Sequence, residues 1–184
     1  MKKTTIILAH SDYSNSIANK TIVDAVLQEF PDITVRNLGE LYPDFNIDVF
    51  AEQDNLVNSD IIIFQFPVNW YNVPALLKQW LDKVLTHGFA YGTGGDKLEG
   101  KTLLVSCTAG GDKLAYTPIG SAHFKIDHFF HNLEATAYFC GMKYADPIFG
   151  FNYLYIPGVV NSIETVRDRA MLQADKLIAE IKKI

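Results

Sequence analysis

An apolar run from Ile61 to Phe66 constrains the fold more than any other stretch of the chain. Only Gln65 within it is polar, so the strand that this run predicts must be covered on both faces. Strands of that kind occur in parallel sheets that carry helices on each side. Pro74 then suits the first turn of a helix, which an apolar stripe extends to His87 and Gly88 ends. We therefore expect a strand–loop–helix unit of an α/β protein.

Strands and helices alternate along the rest of the chain. We predict strands at Thr4–Ala9, Ile33–Leu38, Thr102–Cys107 and Met142–Phe151, the last of which Pro147 interrupts. We predict helices from about Ser16 until Pro31 ends the first one, at Val49–Asn58, over much of His123–Phe139, and at Ser162–Ile184. This alternation indicates right-handed crossovers between parallel strands. The predicted fold is a single flavodoxin-like α/β domain over residues 1–184, with a five-stranded doubly wound parallel sheet and helices on both faces.

Charge and composition argue against several classes of function. A net charge of −5 disfavours nucleic acid as a general partner. No apolar run reaches the roughly 18 residues that a membrane span needs, so we expect no direct insertion into a membrane. Cys107 and Cys140 lie in apolar runs without CxxC spacing, which is typical of reduced thiols. With no secretion signal ahead of the first strand, we expect a cytoplasmic protein.

The loop after the central strand carries two large aromatic side chains, Trp70 and Tyr71. Open α/β sheets bind their ligands at the carboxyl ends of their strands, which is where this loop begins. Aromatic residues also cap protein cores, and that is the alternative interpretation. The position of the pair, in the loop formed by residues Pro67, Val68, Asn69, Trp70 and Tyr71, favours a flat ligand.

The loop after the first strand is a candidate phosphate site. It leads into the first helix, so the amides from Ser16 to Asn19 face outward at the positive end of the helix dipole. Ser16 can cap the helix and donate to a phosphate, and His10 can add a further donor. Capping alone explains Ser16 equally well, a loop histidine needs no ligand, and Asp12 would repel a phosphate unless it points away.

The loop after the fourth strand, Thr108-Ala109-Gly110-Gly111, could be a plain turn. Two glycines, however, let the backbone approach a flat ligand and offer exposed amides to its acceptor edge. Three loops would then open at one edge of the sheet and supply a phosphate cradle, an aromatic wall and a row of amides. Those are the parts that a flavin mononucleotide needs.

Two other patterns are weaker candidates. Gly95–Thr102 matches the phosphate-loop pattern GxxxxGK[ST], but a predicted helix precedes it and a predicted strand follows it. That order is the reverse of a phosphate cradle, so we expect no nucleotide hydrolysis. His123, His128 and His131 lack a carboxylate or cysteine that would complete a metal site, so we expect no metal. No GxSxG elbow is present for a serine hydrolase.

Together these residues resemble the flavin-dependent NAD(P)H:quinone reductases of the DT-diaphorase type. The likeness covers nearly the whole chain and lies in the segments Pro67–Tyr71, Val73–Lys78, Phe89–Tyr91 and Thr108–Gly111. The family more often has a second threonine where Ala109 stands. Leu41–Asp48, and His10 followed by Ser16–Asn19, are most similar to the small bacterial ancillary proteins of glutathione-regulated potassium efflux.

The resemblance implies a homodimer with FMN in shared sites, although FAD, which larger relatives hold, stays an alternative. NADH or NADPH would reduce the flavin and leave before a quinone takes the electrons as hydride, a ping-pong mechanism. A potassium-efflux membrane protein is an implied partner, which would place the protein peripherally at the inner face of the cell membrane. Carried over, the phosphate and ribityl chain would be held by His10, Ser16, Ile17, Ala18 and Asn19. The ring would be flanked by Pro67–Trp70, with Thr108–Gly111 at its pyrimidine edge.

The resemblance also suggests where substrates act. Tyr116 and His123 would lie beside the flavin as catalytic and substrate-contacting residues, and one of them could donate the proton that accompanies the hydride. Tyr91 would reach the quinone pocket of the partner subunit. A flavodoxin-type electron carrier, which shares the fold and has no substrate turnover of its own, is the competing hypothesis.

Overall fold

A parallel sheet forms the centre of the molecule, of which the computed structural model describes residues 2–184. Its strands are β1 (Thr4–Leu8), β2 (Thr34–Asn37), β3 (Ile61–Pro67), β4 (Thr102–Thr108), β5 (Lys143–Tyr144) and β6 (Ile148–Gly150). They are ordered β2-β1-β3-β4-β5, and β6 also pairs with β4. All pairings are parallel. The order and direction confirm the predicted flavodoxin-like sheet, with β2 at the edge where the alternating pattern placed it.

The predicted fifth strand is divided into β5 and β6, which share one flank of β4. Leu103 pairs with Tyr144 and Ser106 pairs with Ile148. Between these two pairs, β4 has two residues and the neighbouring segment has three, namely Ala145, Asp146 and Pro147. Proline has no N–H for the ladder and favours bulges, which is why the strand breaks where the sequence predicted.

Helices cover both faces of the sheet, as predicted. They are α1 (Ala18–Glu29), α2 (Leu38–Leu41), α3 (Val49–Val57), α4 (Ala75–Val84), α5 (His131–Phe139) and α6 (Ile163–Lys183). One core packs α1 and α6 against β1, β3 and β4, with Ile22, Ile63 and Leu177 among its buried residues. The other core lies on the opposite face beneath α3, α4 and α5. Both faces of β3 are therefore buried, which accounts for its apolar sequence.

Two predicted helices are too long. Helix α4 ends at Val84, where Gln53 donates from Nε2 to the Val84 carbonyl (2.8 Å). This bond gives a partner to one of the carbonyls that the end of a helix leaves unpaired. The chain then turns, with the Gly88 N–H donating to the Tyr91 carbonyl (2.9 Å). Helix α5 starts at His131 rather than near His123, because His123 has a left-handed backbone (φ 58°) and a 3-10 turn separates the two.

The segment that imitates a phosphate loop has a structural role. Lys101 donates from Nζ to the carbonyls of Val57 (2.8 Å) and Ser59 (2.5 Å). A Cβ on Gly95 would lie 2.0 Å from the Tyr91 carbonyl oxygen, so this glycine allows a close backbone contact. The segment leads into strand β4 and not into a helix, as predicted. It therefore has no helix dipole to offer a phosphate.

We expect magnesium-ATP not to bind here, and Lys101→Ala to lower the free energy of unfolding by about 1–2 kcal/mol, because two carbonyls lose their donor. Calorimetric titration and urea denaturation measure the two effects. Tight ATP binding that Lys101→Ala abolishes would show that the loop is a nucleotide site after all.

Among residues 2–184, no helix is both long and apolar enough to cross a membrane. Cys107 and Cys140 are free thiols and both are buried.

Candidate functional site

The loop after β3 is a tight turn that holds Trp70 away from the protein. Asn69 and Asn72 exchange two backbone hydrogen bonds of 2.9 and 3.0 Å, which close a two-residue turn. Trp70 (φ 49°) and Tyr71 (φ 61°) occupy its central positions in the left-handed region. Bulky residues rarely adopt that conformation, and such strain concentrates at functional sites. Trp70 is 94% exposed, so for this residue the alternative of a core cap is wrong.

Tyr71 continues into a row of aromatic rings. Its ring centroid lies 5.0 Å from that of Phe129, which in turn lies 6.4 Å from Tyr116. Tyr116 is 5.6 Å from Phe151. This row joins the loops after β3, β4 and β6 into one wall.

The loop after β1 presents donors at the start of α1. Ser16 Oγ accepts from the Asn19 N–H (3.2 Å), so Ser16 caps the helix as predicted. Within residues 2–184, the N–H groups of Ile17 and Ala18 have no hydrogen-bond acceptor, although they lie at the positive end of the dipole. An anion placed there would satisfy both of them.

His10 offers this loop a further donor, and the Asp12 carboxylate is held by neighbouring side chains. His10 Nδ1 accepts from the Asp12 N–H (3.0 Å), which leaves Nε2 as the ring nitrogen that carries a proton and can donate. Burial lowers the pKa of His10, although Asp12 opposes this, so the ring is neutral at pH 7. The Asp12 carboxylate accepts from Ser14 (3.0 Å) and Asn15 (3.0 Å), and these bonds fix it within the loop.

The loop after β4, Thr108–Gly111, which we call the glycine loop, is bonded to the segment after β6. The N–H groups of Asn152 and Leu154 donate to the carbonyls of Gly111 (2.7 Å) and Gly110 (3.3 Å). The buried Ala109 donates its N–H to the Gly150 carbonyl (2.8 Å), and the Tyr153 N–H donates to the Ala109 carbonyl (3.1 Å). Gly110 and Gly111 are exposed, and their N–H groups donate to no acceptor in the described part of the chain. These amides can therefore serve a ligand.

A chain of buried amides and a hydroxyl lies beneath the three loops. Gln65 donates from Nε2 to Asn19 Oδ1 (2.8 Å), and Asn19 donates from Nδ2 to Thr108 Oγ1 (3.0 Å). The Val68 N–H donates to the Thr108 carbonyl (2.8 Å), so the β3 and β4 loops are joined directly as well. Asn19, for which we predict contact with the phosphate and ribityl chain, also ties the loops together through its side chain. Sequence reasoning gave Gln65 no role, although one polar residue in an apolar strand was a signal.

The remaining predicted residues lie at different distances from these loops. Tyr116 is adjacent to the glycine loop, since a Cβ on Gly111 would lie 3.4 Å from Tyr116 Cε2. Burial raises the pKa of Tyr116, which keeps its hydroxyl protonated at neutral pH. His123 is exposed, and its side chain makes no hydrogen bond within residues 2–184. Tyr91 packs against Phe139 (5.1 Å between centroids) beyond the end of α4, away from the three loops of its own chain.

The match to a protein-family model decides the classification. Residues 2–177 match the model of a family described by its flavodoxin-like fold. The chain belongs to this family. It is 41% identical over 178 residues to an uncharacterized NAD(P)H oxidoreductase, YrkL, of Bacillus subtilis, covering 97% of this chain and 99% of the relative. It is also 48% identical over 142 residues to the glutathione-regulated potassium-efflux ancillary protein KefF of Salmonella newport, covering 77% of this chain and 79% of the relative.

Solved structures of similar proteins agree with this membership. The general stress protein 14 of Treponema denticola, solved in complex with FMN, has a TM-score of 0.84 and 36% identity over 96% of both chains. An NADPH-quinone reductase from P. pentosaceus has a TM-score of 0.78 and 29% identity, with 95% of this chain and 96% of that chain covered.

The residues present fit FMN. The unpaired amides of Ile17 and Ala18 suit its phosphate, and those of Gly110 and Gly111 suit the acceptor edge of its ring. Trp70 and Tyr71 offer an aromatic wall between these two groups of donors.

Proposed function

We propose that this protein is an FMN-dependent NAD(P)H:quinone oxidoreductase that reduces quinones by two electrons in a ping-pong cycle. The observation that carries the proposal is the convergence of unpaired donors on one sheet edge. The amides of Ile17 and Ala18 lie at one loop, and those of Gly110 and Gly111 at another, on either side of the exposed Trp70. The relatives named as NAD(P)H oxidoreductases and NADPH-quinone reductases support the choice of reaction.

Each residue of the site has a separate task in this reaction. Bound FMN would supply the ring that takes hydride equivalents from nicotinamide and gives them to a quinone. His10 Nε2, Ser16 and the amides of Ile17 and Ala18 would hold the phosphate of FMN. The Gly110 and Gly111 amides would donate to the acceptor edge of the FMN ring and stabilise negative charge there. Tyr116 holds a proton on its hydroxyl beside the glycine loop and can donate it to the reduced substrate. His123, in the same segment, is the second candidate donor.

The purified protein tests this proposal directly. We expect a flavin absorbance spectrum, release of FMN and not FAD on denaturation, and oxidation of NADH or NADPH that depends on added menadione. Double-reciprocal plots at several quinone concentrations should be parallel, as a ping-pong cycle requires. Bound flavin with no steady-state oxidation of either nucleotide would favour the electron-carrier hypothesis.

We also propose that the active form is a homodimer, in which Tyr91 of one chain lines the quinone pocket of the other. Tyr91 lies outside its own chain's site, beside the exposed ring of Phe139 (69%). Exposed aromatic residues of this kind are typical of an interface.

We expect Tyr91→Ala to raise the Michaelis constant for menadione several-fold, and more than the constant for the nicotinamide, since the two substrates touch different parts of the wall. Steady-state kinetics measure both constants, and Phe50→Ala, which removes an exposed ring on α3, serves as a control. A fully active monomer in sedimentation experiments would contradict the shared site.

A second role is favoured by the 48% identity to an ancillary protein of potassium efflux. We propose that the protein acts in the cytoplasm and reaches the inner face of the membrane only through a protein partner. Co-purification with a potassium-efflux protein of the same host, compared with a strain lacking that protein, tests this role. Equal membrane recovery from both strains would contradict it.

A further inference from the structure

A cavity of about 470 Å³ lies beside the glycine loop. Its lining does not include the residues whose unpaired amides form the proposed FMN site. Its floor is apolar, with Ile148, Phe149 and Phe151 contributed by β6 and the residue after it. Its lining also includes Lys113, Lys125 and Lys176, and we call it the lysine pocket. The volume is within the range of small-molecule sites.

The charge of the lysine pocket is opposite to that of the whole chain. Its three lysines are exposed, and within residues 2–184 none of them forms an ion pair or donates a side-chain hydrogen bond. One carboxylate, that of Asp127, also lines the pocket, and it accepts from the His128 N–H (3.2 Å). The pocket is thus a cationic site on a protein of net charge −5, which favours an anion with an apolar or aromatic part.

The lysine pocket shares a wall with the proposed substrate site. Tyr116 lines the pocket, and it also lies against Gly111, whose amide faces the candidate ring site. A ligand that has one end beside the glycine loop can therefore extend over Tyr116 into the pocket. Among the proposed substrates, the nicotinamide dinucleotides are the ones long enough and anionic enough to do so.

We propose that the lysine pocket binds the phosphorylated adenosine end of NADPH and selects it over NADH. This inference rests on the proposed function. The 2′-phosphate distinguishes the two nucleotides, and basic side chains near the ribose are the means by which proteins accept it. The apolar floor suits the adenine ring, and the three ammonium groups supply charge-assisted hydrogen bonds to the phosphate.

The test compares ligands that differ only in the 2′-phosphate, using the purified holoenzyme. We expect 2′,5′-ADP to bind at least about tenfold more tightly than 5′-AMP in calorimetric titrations. Lys113→Gln, Lys125→Gln and Lys176→Gln should each reduce that preference several-fold, and the triple variant should abolish it. Lys83→Gln, an exposed lysine on α4 outside the pocket, is the matched control. Higher ionic strength should weaken the preference in the wild-type protein.

Kinetics provide the second measurement. The ratio of kcat/KM for NADPH to that for NADH should fall about tenfold or more in the triple variant. Equal binding of 2′,5′-ADP and 5′-AMP, or a preference that the triple variant retains, would overturn the inference. Inorganic phosphate that competes as well as 2′,5′-ADP would show a general anion site and overturn it too. The titrations need no turnover, so they decide the inference about the pocket by themselves. Lack of activity with both nucleotides would instead disprove the proposed function.

Discussion

Trp70→Gly is expected to make the apoprotein more stable and at the same time impair its binding of flavin. Trp70 has a left-handed backbone that costs a bulky residue about 1–2 kcal/mol and glycine almost nothing. The side chain is 94% exposed, so its removal loses little packing. We expect the free energy of unfolding to rise by about 1 kcal/mol.

The same substitution removes an aromatic wall of the proposed ring site. Stacking of a flat base on an aromatic side chain is worth about 1–3 kcal/mol, so FMN affinity should fall by about tenfold or more. Urea denaturation of the apoprotein measures stability, and fluorescence titration with FMN measures affinity.

Two further variants at position 70 separate backbone strain from stacking. Trp70→Ala keeps a side chain in the left-handed region and removes the ring, so it should lose affinity without gaining stability. Trp70→Phe keeps a ring and the strain, so it should retain most of the affinity. If Trp70→Gly binds FMN as tightly as the wild type, the turn is not part of the ring site.

Arg36→Met is expected to destabilise the protein by about 3–5 kcal/mol, the cost of leaving a buried charge unpaired. Glu52 is fully buried, and its Oε1 accepts from Arg36 at Nε (3.0 Å) and Nη2 (2.5 Å). Tyr42 donates to the same oxygen (2.7 Å), while Trp80 Nε1 donates to Oε2 (2.9 Å). Loss of Arg36 leaves the carboxylate with two neutral donors in an apolar core. Chemical denaturation at pH 7 measures the effect.

Lys78→Met is the matched control for that experiment. It breaks an ion pair with Asp82 whose two side chains are both 57% exposed. Exposed pairs contribute less than about 1 kcal/mol, so this variant should unfold almost as the wild type does. Similar losses for Arg36→Met and Lys78→Met would mean that the buried pair contributes no more than a surface pair.

The sequence was sufficient to predict the sheet, because burial on both faces leaves a direct mark on composition. Ile61–Phe66 is apolar because helices cover both of its sides, and Pro147 marks the break in the last strand. The order of the strands followed from general rules of chirality and connection. The loops at the carboxyl edge were then predictable as the place of the candidate site.

The details of the site depend on contacts that sequence patterns do not record. Asn19 and Gln65 are 46 residues apart and Asn19 and Thr108 are 89 apart, so their bonds exist only once the sheet has formed. Turn propensities favour glycine or asparagine where Trp70 and Tyr71 stand, so no local rule predicted a left-handed pair of aromatics. The end of α4 was missed because the residue that caps it, Gln53, comes from another helix.

The link from Gln65 through Asn19 to Thr108 has a consequence for how the protein would release the FMN of the proposed function. All three residues of this link are buried, so water can reach its hydrogen bonds only where the core opens. The loop after β1 and the glycine loop are thus joined through one buried set of hydrogen bonds, so we expect them to loosen together. Departure of the cofactor should then be a single cooperative event with a slow rate, which would let one bound molecule serve many turnovers.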